Sequence, residues 1–373
     1  MAVPHGASHQ RVATALRKAL CDIQPQPIVE VVNALDHCPR WFRYYYNSYG
    51  LFLALCPALW ARIENLQHHH TTTGPDWLYR RAGRYLYKFI QGYDPDIVIA
   101  TEVGMCELAA ILKRELRVGF RLVGAVTGMD ADRAWSQPEV DLYAVAPGEA
   151  VAQLEAAGVP RHKILACGQP VDPVFTALPD RHRARIRLEV EHGIPLLLVL
   201  FGGAGVGSPR HVVAELKKVE QPHQAVFIAG RNRRLREEVA SLCSDRPHYR
   251  ALGWVDNIHE WMVVADLLVS KPGASTMIES FNCGLPLLAL DPLPGNEQRA
   301  CEWIEKTGVG YWVKRRADLA PLIGRLLPDR EELRRLRERA LALARPNAAY
   351  DAAEAIMQLS SHPDKYAISE LHS

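Results

Sequence analysis

Short apolar runs alternate with amphipathic stretches along most of the 373-residue chain. The runs Ile97–Ala100, Leu122–Val126, Leu142–Val145, Ile164–Ala166, Leu196–Phe201, Ala225–Ala229, Leu267–Ser270 and Leu285–Leu290 are continuous rather than alternating. That pattern predicts parallel strands covered on both faces. Helical periodicity fills the gaps over Glu107–Leu116, Glu149–Ala157, Arg233–Leu242 and Ala300–Lys306. The alternation predicts an α/β chain with two wound sheets. Prolines cluster over Gly168–Pro179, after one strand and well before the next, and mark a boundary. The expected division is a first domain over residues 1–168, a second over 169–345, and a C-terminal helix and tail over 346–373. Near the end, Glu331–Leu343 reads as a helix with Glu331 and Arg335 in i,i+4 support. Pro346 should break it, and Ala348–Leu359 can form another.

The N-terminus is unusual. Met1 to Val3 leave almost no residues for a strand ahead of the turn Pro4–His9 and the helix Arg11–Leu20. A glycine turn that opens a helix normally follows a strand, because the sheet edge positions the turn. The expectation is a shortened first strand or a start upstream of Met1, the latter preferred.

Composition narrows the class. With 48% hydrophobic and 23% charged residues the chain is an ordinary globular protein, and a net charge of +2 implies no strong nucleic-acid field. Eight scattered cysteines without a Cys-x-x-Cys fit reduced thiols in a cytosolic protein. No secretory signal and no apolar run long enough to span a bilayer are present in the sequence. The tract His68–His70 reads as a solvated loop, since neither helix nor strand spacing converges adjacent histidines on one metal.

The most informative segment runs from Asp266 to Gln298. An apolar strand stops at Lys271-Pro272-Gly273-Ala274-Ser275-Thr276, and a helical pattern carries Glu279 one turn further. Strand, glycine turn and helix bring backbone amides and a helix N-terminus to an anion. Thr276 can donate to a phosphate, while an ionised Glu279 is acceptor-only and suits a sugar diol. An ordinary strand–helix turn would look the same. A second glycine turn, Gly203-Ala204-Gly205-Val206-Gly207-Ser208, follows a strand but lacks the third glycine of a dinucleotide fingerprint. The next strand ends in Ala229-Gly230-Arg231-Asn232, without an acid for a ribose, and no Gly-Lys-Ser/Thr closes a Walker loop. At Gly203 there remains a close backbone approach to a ligand, or simply a tight turn.

His9 is the strongest general-base candidate, at a helix start beside small residues, with His5 a competitor. Capping its helix is the plainer role. The segment Arg40–Tyr49 followed by Leu51–Trp60 is rich in aromatics and flanked by arginines. Trp41, Tyr45, Tyr49 and Trp60 are candidates for headgroup-level insertion into a membrane or contact with a lipid. A core helix pair would show the same composition. Arg80, Arg81, Arg84 and Lys88, interleaved with Tyr79, Tyr85 and Tyr87, would add attraction to anionic lipid or form a solvated face.

Taken in order, four segments resemble a known family: Ala229-Gly230-Arg231-Asn232, Gly253-Trp254-Val255-Asp256-Asn257-Ile258, Lys271 through Glu279, and Pro294-Gly295-Asn296-Glu297. With Gly168-Gln169-Pro170-Val171-Asp172-Pro173 as hinge, the chain from Gly6 to about Val313 resembles the lipid-directed GT-B glycosyltransferases. The monogalactosyldiacylglycerol synthases and bacterial diacylglycerol glucosyltransferases are the nearest likeness, and the murein-precursor N-acetylglucosaminyltransferase a more distant one. The resemblance implies two Rossmann-like domains facing each other across a cleft, with a UDP-sugar donor on the second. It implies that Val255 to Ile258 meet the uracil, with Arg231 in the same donor segment. Glu279 would take the ribose, Gly273, Ser275 and Thr276 the diphosphate, and Gly295, Asn296, Glu297 and Gln298 the transferred sugar. His9 would be the base of an inverting transfer of galactose, glucose or glucuronate to a lipid acceptor such as diacylglycerol. No metal or organic cofactor is implied, and the protein would sit peripherally on the inner face of the cell membrane. The chain departs from the family at Ser8, where a glycine is usual, and at Asn296, where glutamine is frequent. It departs again at Thr127-Gly128-Met129-Asp130, where the acid is displaced by two positions and Asp130 is its candidate substitute. A UDP-sugar epimerase of the same fold and a non-catalytic nucleotide-sugar-binding protein are the alternatives.

Overall fold

In the computed structural model the described residues are 7–55, 76–116, 119–202 and 209–361. They form two units, Met1–Pro173 with Arg345–Ser373, and Val174–Ala344. His5, Trp60, Gly203 and the His68–His70 tract lie outside the described residues, as does the side chain of Tyr49.

The first unit opens on α1 (Ala7–Asp22), α2 (Arg40–Leu55) and α3 (Asp76–Tyr93). There follow β1 (Ile97–Ala100), α4 (Val103–Leu116), β2 (Arg121–Ala125), β3 (Leu142–Ala144), α5 (Glu149–Ala156) and β4 (Ile164–Leu165). All four strands are parallel, in the order β1-β2-β3-β4, with Ala100 opposite Gly124 and Ala125 opposite Ala144. On one face, Leu78, Tyr79, Ala82, Leu86 and Ile90 of α3 pack with Leu108, Ile111 and Leu112 of α4 against Val98 and Leu122. Tyr79 therefore points inward, because α3 buries every third or fourth residue. It does not belong to the lipid-facing side proposed for Arg80–Lys88.

The second unit contains α6 (Arg181–Arg187), β5 (Leu196–Leu200), α7 (Pro209–Leu216), β6 (Gln224–Ile228), α8 (Arg233–Leu242) and β7 (Tyr249–Leu252). It continues through α9 (Ile258–Val264), β8 (Leu267–Ser270), α10 (Ala274–Asn282), β9 (Leu287–Leu290), α11 (Asn296–Thr307) and β10 (Gly310–Val313). Helices α12 (Leu319–Leu326) and α13 (Arg330–Ala342) close it. Six parallel strands lie in the order β10-β9-β8-β5-β6-β7. The chain winds outward from β5 to β7, returns to the other side of β5 and winds outward again to β10. Between β5 and β8 the strand order reverses, and in open α/β sheets ligands bind outside the carboxyl ends of strands at such a point. The α/β reading with two wound sheets is met.

The last helix, α14 (Ala348–Ser361), belongs to the first unit rather than standing apart. Its Ala349, Ala352, Ala353, Ile356 and Leu359 pack on Val12, Ala15, Leu16, Ala19 and Leu20 of α1 and on Val123 and Leu142 of the sheet. Spacing of three and four residues on both helices makes two matching apolar stripes. All five of these α14 positions, and no α13 residue, supply this stripe, so the helix is drawn to α1. The two units divide after Pro173 and again after Ala344.

Among the described residues no helix is long and apolar enough to cross a membrane. The described cysteines are thiols without a bridge, all but Cys21 buried.

Candidate functional site

In the second unit the proposed donor residues gather at one edge of the sheet. Parallel strands place all their carboxyl ends together, so the loops after β5, β6, β7, β8 and β9 share that edge. At the reversal point the Ser270 hydroxyl donates to the Leu200 carbonyl at 3.2 Å, tying the ends of β8 and β5. Phe201 and Gly202 follow β5, and Gly202 takes a φ of +74° that a side chain would resist.

After β8 come Lys271, Pro272 and Gly273, the N-cap of α10, which has no side-chain cap. The first helical hydrogen bond runs from the Met277 amide to the Gly273 carbonyl at 3.0 Å. The amides of Ala274, Ser275 and Thr276 thus precede the helix's own ladder and carry the positive end of its dipole. Glu279 lies three residues beyond Thr276 on the same helical side, and its side chain is 5% exposed. Lys271 stands at the same strand end, half-buried, and was not singled out by sequence reasoning. Its ammonium acts on Glu297, across from it on the next loop.

The loop after β9 is tightly held. Asp291 has a φ of +50° and Gly295 of +90°. The Leu293 amide donates to Glu297 Oε2 at 2.6 Å, and Arg299 donates to the Asn296 side-chain oxygen. Burial pushes the Glu297 carboxyl above its ordinary value, against the opposing pull of the Leu293 amide and Lys271. Gln298 reaches back toward the Gly295 amide at 3.5 Å and is exposed. Glu297 and Gln298 therefore shape their own turn as well as facing the edge.

On the far side of β5, the loops after β6 and β7 border an open pocket of about 470 Å³ lined by Gly230, Arg231, Arg233, Arg236, Gly253 and Trp254. The Arg231 guanidinium stacks 4.5 Å above the half-exposed Trp254 ring, whose Nε1 donates to Asp256 at 2.8 Å. Val255 follows Trp254, and Ile258 opens α9. Arg231, Val255, Ile258, Gly273, Ser275, Thr276, Glu279, Gly295, Asn296, Glu297 and Gln298 are thus brought to one edge.

In the first unit His9 lies near the start of α1, where the strands β1 and β2 end. Its Nδ1 is 2.6 Å from the Thr101 carbonyl oxygen and 3.3 Å from the Thr127 hydroxyl. Thr101 Oγ1 donates back to the His9 carbonyl at 3.0 Å. A carbonyl only accepts, so Nδ1 carries the hydrogen and Nε2 keeps the lone pair that a base requires. The Thr101 carbonyl makes the contact that orients the ring. Asp130 sits two residues beyond Gly128, which has a φ of +113°. Side-chain identity does not announce a backbone acceptor, which is why Thr101 escapes sequence reasoning.

Next to Thr101, the buried Glu102 accepts from the Gly104 and Met105 amides at 3.1 and 2.9 Å, capping α4. It also accepts from the Tyr46 hydroxyl at 2.6 Å. Burial, and after it the Glu102 charge, pushes that hydroxyl well above the ordinary phenol range. Helix α2 divides its aromatics between core and solvent. Phe42 is buried, Trp41 and Tyr46 pack against the core, and Tyr44 and Tyr45 are exposed. Helix α3 presents Trp77, Arg81, Arg84, Tyr85 and Lys88 outward.

Comparison with known proteins follows the same division. Residues 9–171 match the monogalactosyldiacylglycerol (MGDG) synthase family, and residues 196–354 match the glycosyltransferase family 28 C-terminal domain. A probable monogalactosyldiacylglycerol synthase 3 of rice, Oryza sativa subsp. japonica, is 28% identical over 310 residues, covering 78% of this chain and 61% of its own length. A processive diacylglycerol beta-glucosyltransferase of Bacillus pumilus is 24% identical over 287 residues, covering 76% and 74%. Among solved structures, S. aureus MnaA with UDP superposes with a TM-score of 0.63 at 14% identity, over 99% of this chain and 97% of its own. The chain thus spans less than two thirds of the rice relative, and the architecture is that of the GT-B fold.

Proposed function

We propose that this chain, whose two parts match the MGDG synthase family and the glycosyltransferase family 28 C-terminal domain, transfers a hexose from a UDP-sugar to a lipid hydroxyl. Diacylglycerol is the proposed acceptor, in keeping with the names of the relatives. The observation that carries the reading is the assembly at the carboxyl edge of the second sheet. An open helix N-terminus, Thr276, the buried Glu279 and Lys271 meet where the strand order reverses. Amides and helix dipole take the diphosphate, Glu279 takes the ribose diol, and the Glu297 turn reads the sugar. Charge developing on the departing UDP is met by fixed donors, which need no reorganisation as the bond breaks. Lys271 adds a point charge at the same place.

His9 removes the proton from the acceptor hydroxyl through Nε2 as that oxygen attacks the anomeric carbon from the side opposite UDP. The product is the inverted glycoside. Aromatic and basic residues exposed on α2 and α3 hold the protein at a membrane surface, where a diacylglycerol acceptor resides. An epimerase of the same fold would need acids around the sugar, and Glu102 is already committed to Tyr46 and two amides.

Calorimetry with UDP, followed by UDP-glucose, UDP-galactose and UDP-glucuronate with diacylglycerol vesicles, tests the reading. Tight UDP binding that is lost in the Glu279→Ala, Thr276→Ala double variant supports it. Folded protein that binds no UDP, or a double variant that binds equally well, overturns it.

A further inference from the structure

Three non-glycine residues have a positive φ among the described residues, and Asp291 differs from the other two in place. Asp94 and Glu189 lie in turns that lead from a helix into a strand, at the amino edge of a sheet. Asp291 is the first residue after β9, on the carboxyl edge, and begins the turn that ends in Asn296, Glu297 and Gln298. A side chain in the left-handed region persists where its surroundings dictate it. Here the surroundings are Arg316. Its Nε lies 2.9 and 3.0 Å from the two carboxylate oxygens of Asp291. Arg316 follows β10, whose Val313 is paired with Leu290 of β9, so the contact spans neighbouring strand ends.

We propose that Arg316 is a positioning residue for the donor sugar, acting through Asp291 on the turn that presents Glu297. This rests on the donor reading above and adds a residue outside every motif that led to it. The chain of contacts is short. Arg316 holds Asp291 in its left-handed conformation, Asp291 sets the direction in which the chain leaves β9, and two residues on the Leu293 amide grips Glu297 at 2.6 Å. An ion pair this exposed adds little to global stability. Its effect is local, on where the Glu297 carboxylate stands. In the donor reading UDP itself is held by the loops after β6, β7 and β8, and the brace joins the ends of β9 and β10.

The test compares Arg316→Gln, Arg316→Lys and Asp291→Gly. The last keeps the backbone conformation accessible but removes the tether. In Arg316→Gln and Asp291→Gly, hydrogen exchange at the Leu293 amide should quicken about tenfold or more while exchange in the core strands is unchanged. The KM for the UDP-hexose should rise roughly tenfold with the Kd for UDP within about twofold of the parent. Arg316→Lys should recover part of both. Unchanged exchange and unchanged KM would overturn the proposal, as would a loss of UDP affinity in step with the KM. If the parent protein bound no UDP, the donor reading would fall by itself. Exchange at Leu293 would then still decide whether Arg316 holds the turn.

Discussion

His9 and Thr101 grip each other at two points: the imidazole Nδ1 meets the Thr101 carbonyl, and the Thr101 hydroxyl donates to the His9 carbonyl. The helix start and the strand end are locked together, and the tautomer of the ring is fixed by a backbone atom. Replacing His9 by Gln should lower kcat about 10²–10⁴-fold, the usual contribution of a positioned base. UDP affinity, measured by calorimetry, should stay as it was, because the proposed donor contacts lie in the other unit. A loss of UDP affinity equal to the loss of rate would show that His9 acts structurally.

Lys271 is expected to carry diphosphate charge. Lys271→Met keeps the stem and removes the ammonium. UDP affinity should fall about 10- to 100-fold, as for a charge-assisted hydrogen bond worth about 1.5–3 kcal/mol. Uridine, which lacks the phosphates, should bind as before, and equal losses for both ligands would refute the assignment.

Glu297→Gln should stabilise the protein while weakening transfer. Burial raises the Glu297 carboxyl above its ordinary 4.5, so the fold penalises the charged form relative to the unfolded chain. The stability linked to that proton is present below 4.5 and lost as pH rises through the folded value. A neutral glutamine escapes the penalty and can still accept from the Leu293 amide. Melting temperature should therefore exceed the parent's at pH 7, and the gain should vanish in acid. A difference that persists unchanged below 4.5 would point to another cause.

Tyr46→Phe removes one of the donors to the buried Glu102 carboxylate. The expected loss is about 1–3 kcal/mol in urea unfolding of the first unit. A loss near zero would mean that Glu102 is satisfied without the phenol.

Much of the second unit is legible in the sequence. The bounds Leu267–Ser270 and Arg233–Leu242 agree with β8 and α8, since an interior strand is a bare apolar run and the helix has a strong amphipathic period. Strands β7 and β10 were not anticipated, and both are edge strands. With a single neighbour, an edge strand needs less apolar surface. Arg250 interrupts the first, reaching the Leu188 carbonyl and the Trp261 ring, and Gly310 begins the second, where a side chain would collide with the Leu287 carbonyl. The order of the candidate site was legible because turn residues and helix starts have chemical signatures. Thr101 and the Asp291–Arg316 brace were not, for one works through a carbonyl and the other through a contact between distant turns.

The placement of α14 on α1 is expected to matter for stability. Ile356→Ala should cost about 2–5 kcal/mol by leaving a cavity in that layer. The loss should appear in the unfolding of the first unit, with UDP binding intact.

Because that helix is threaded back after residue 344, the second unit is an insertion within the first. On the ribosome, residues 174–344 can reach their final form while α1 still shows its apolar stripe to water. The unit containing His9 is finished only when α14 emerges. A nascent chain stalled before α14 would pair a complete second unit with a first unit that lacks one layer of its core.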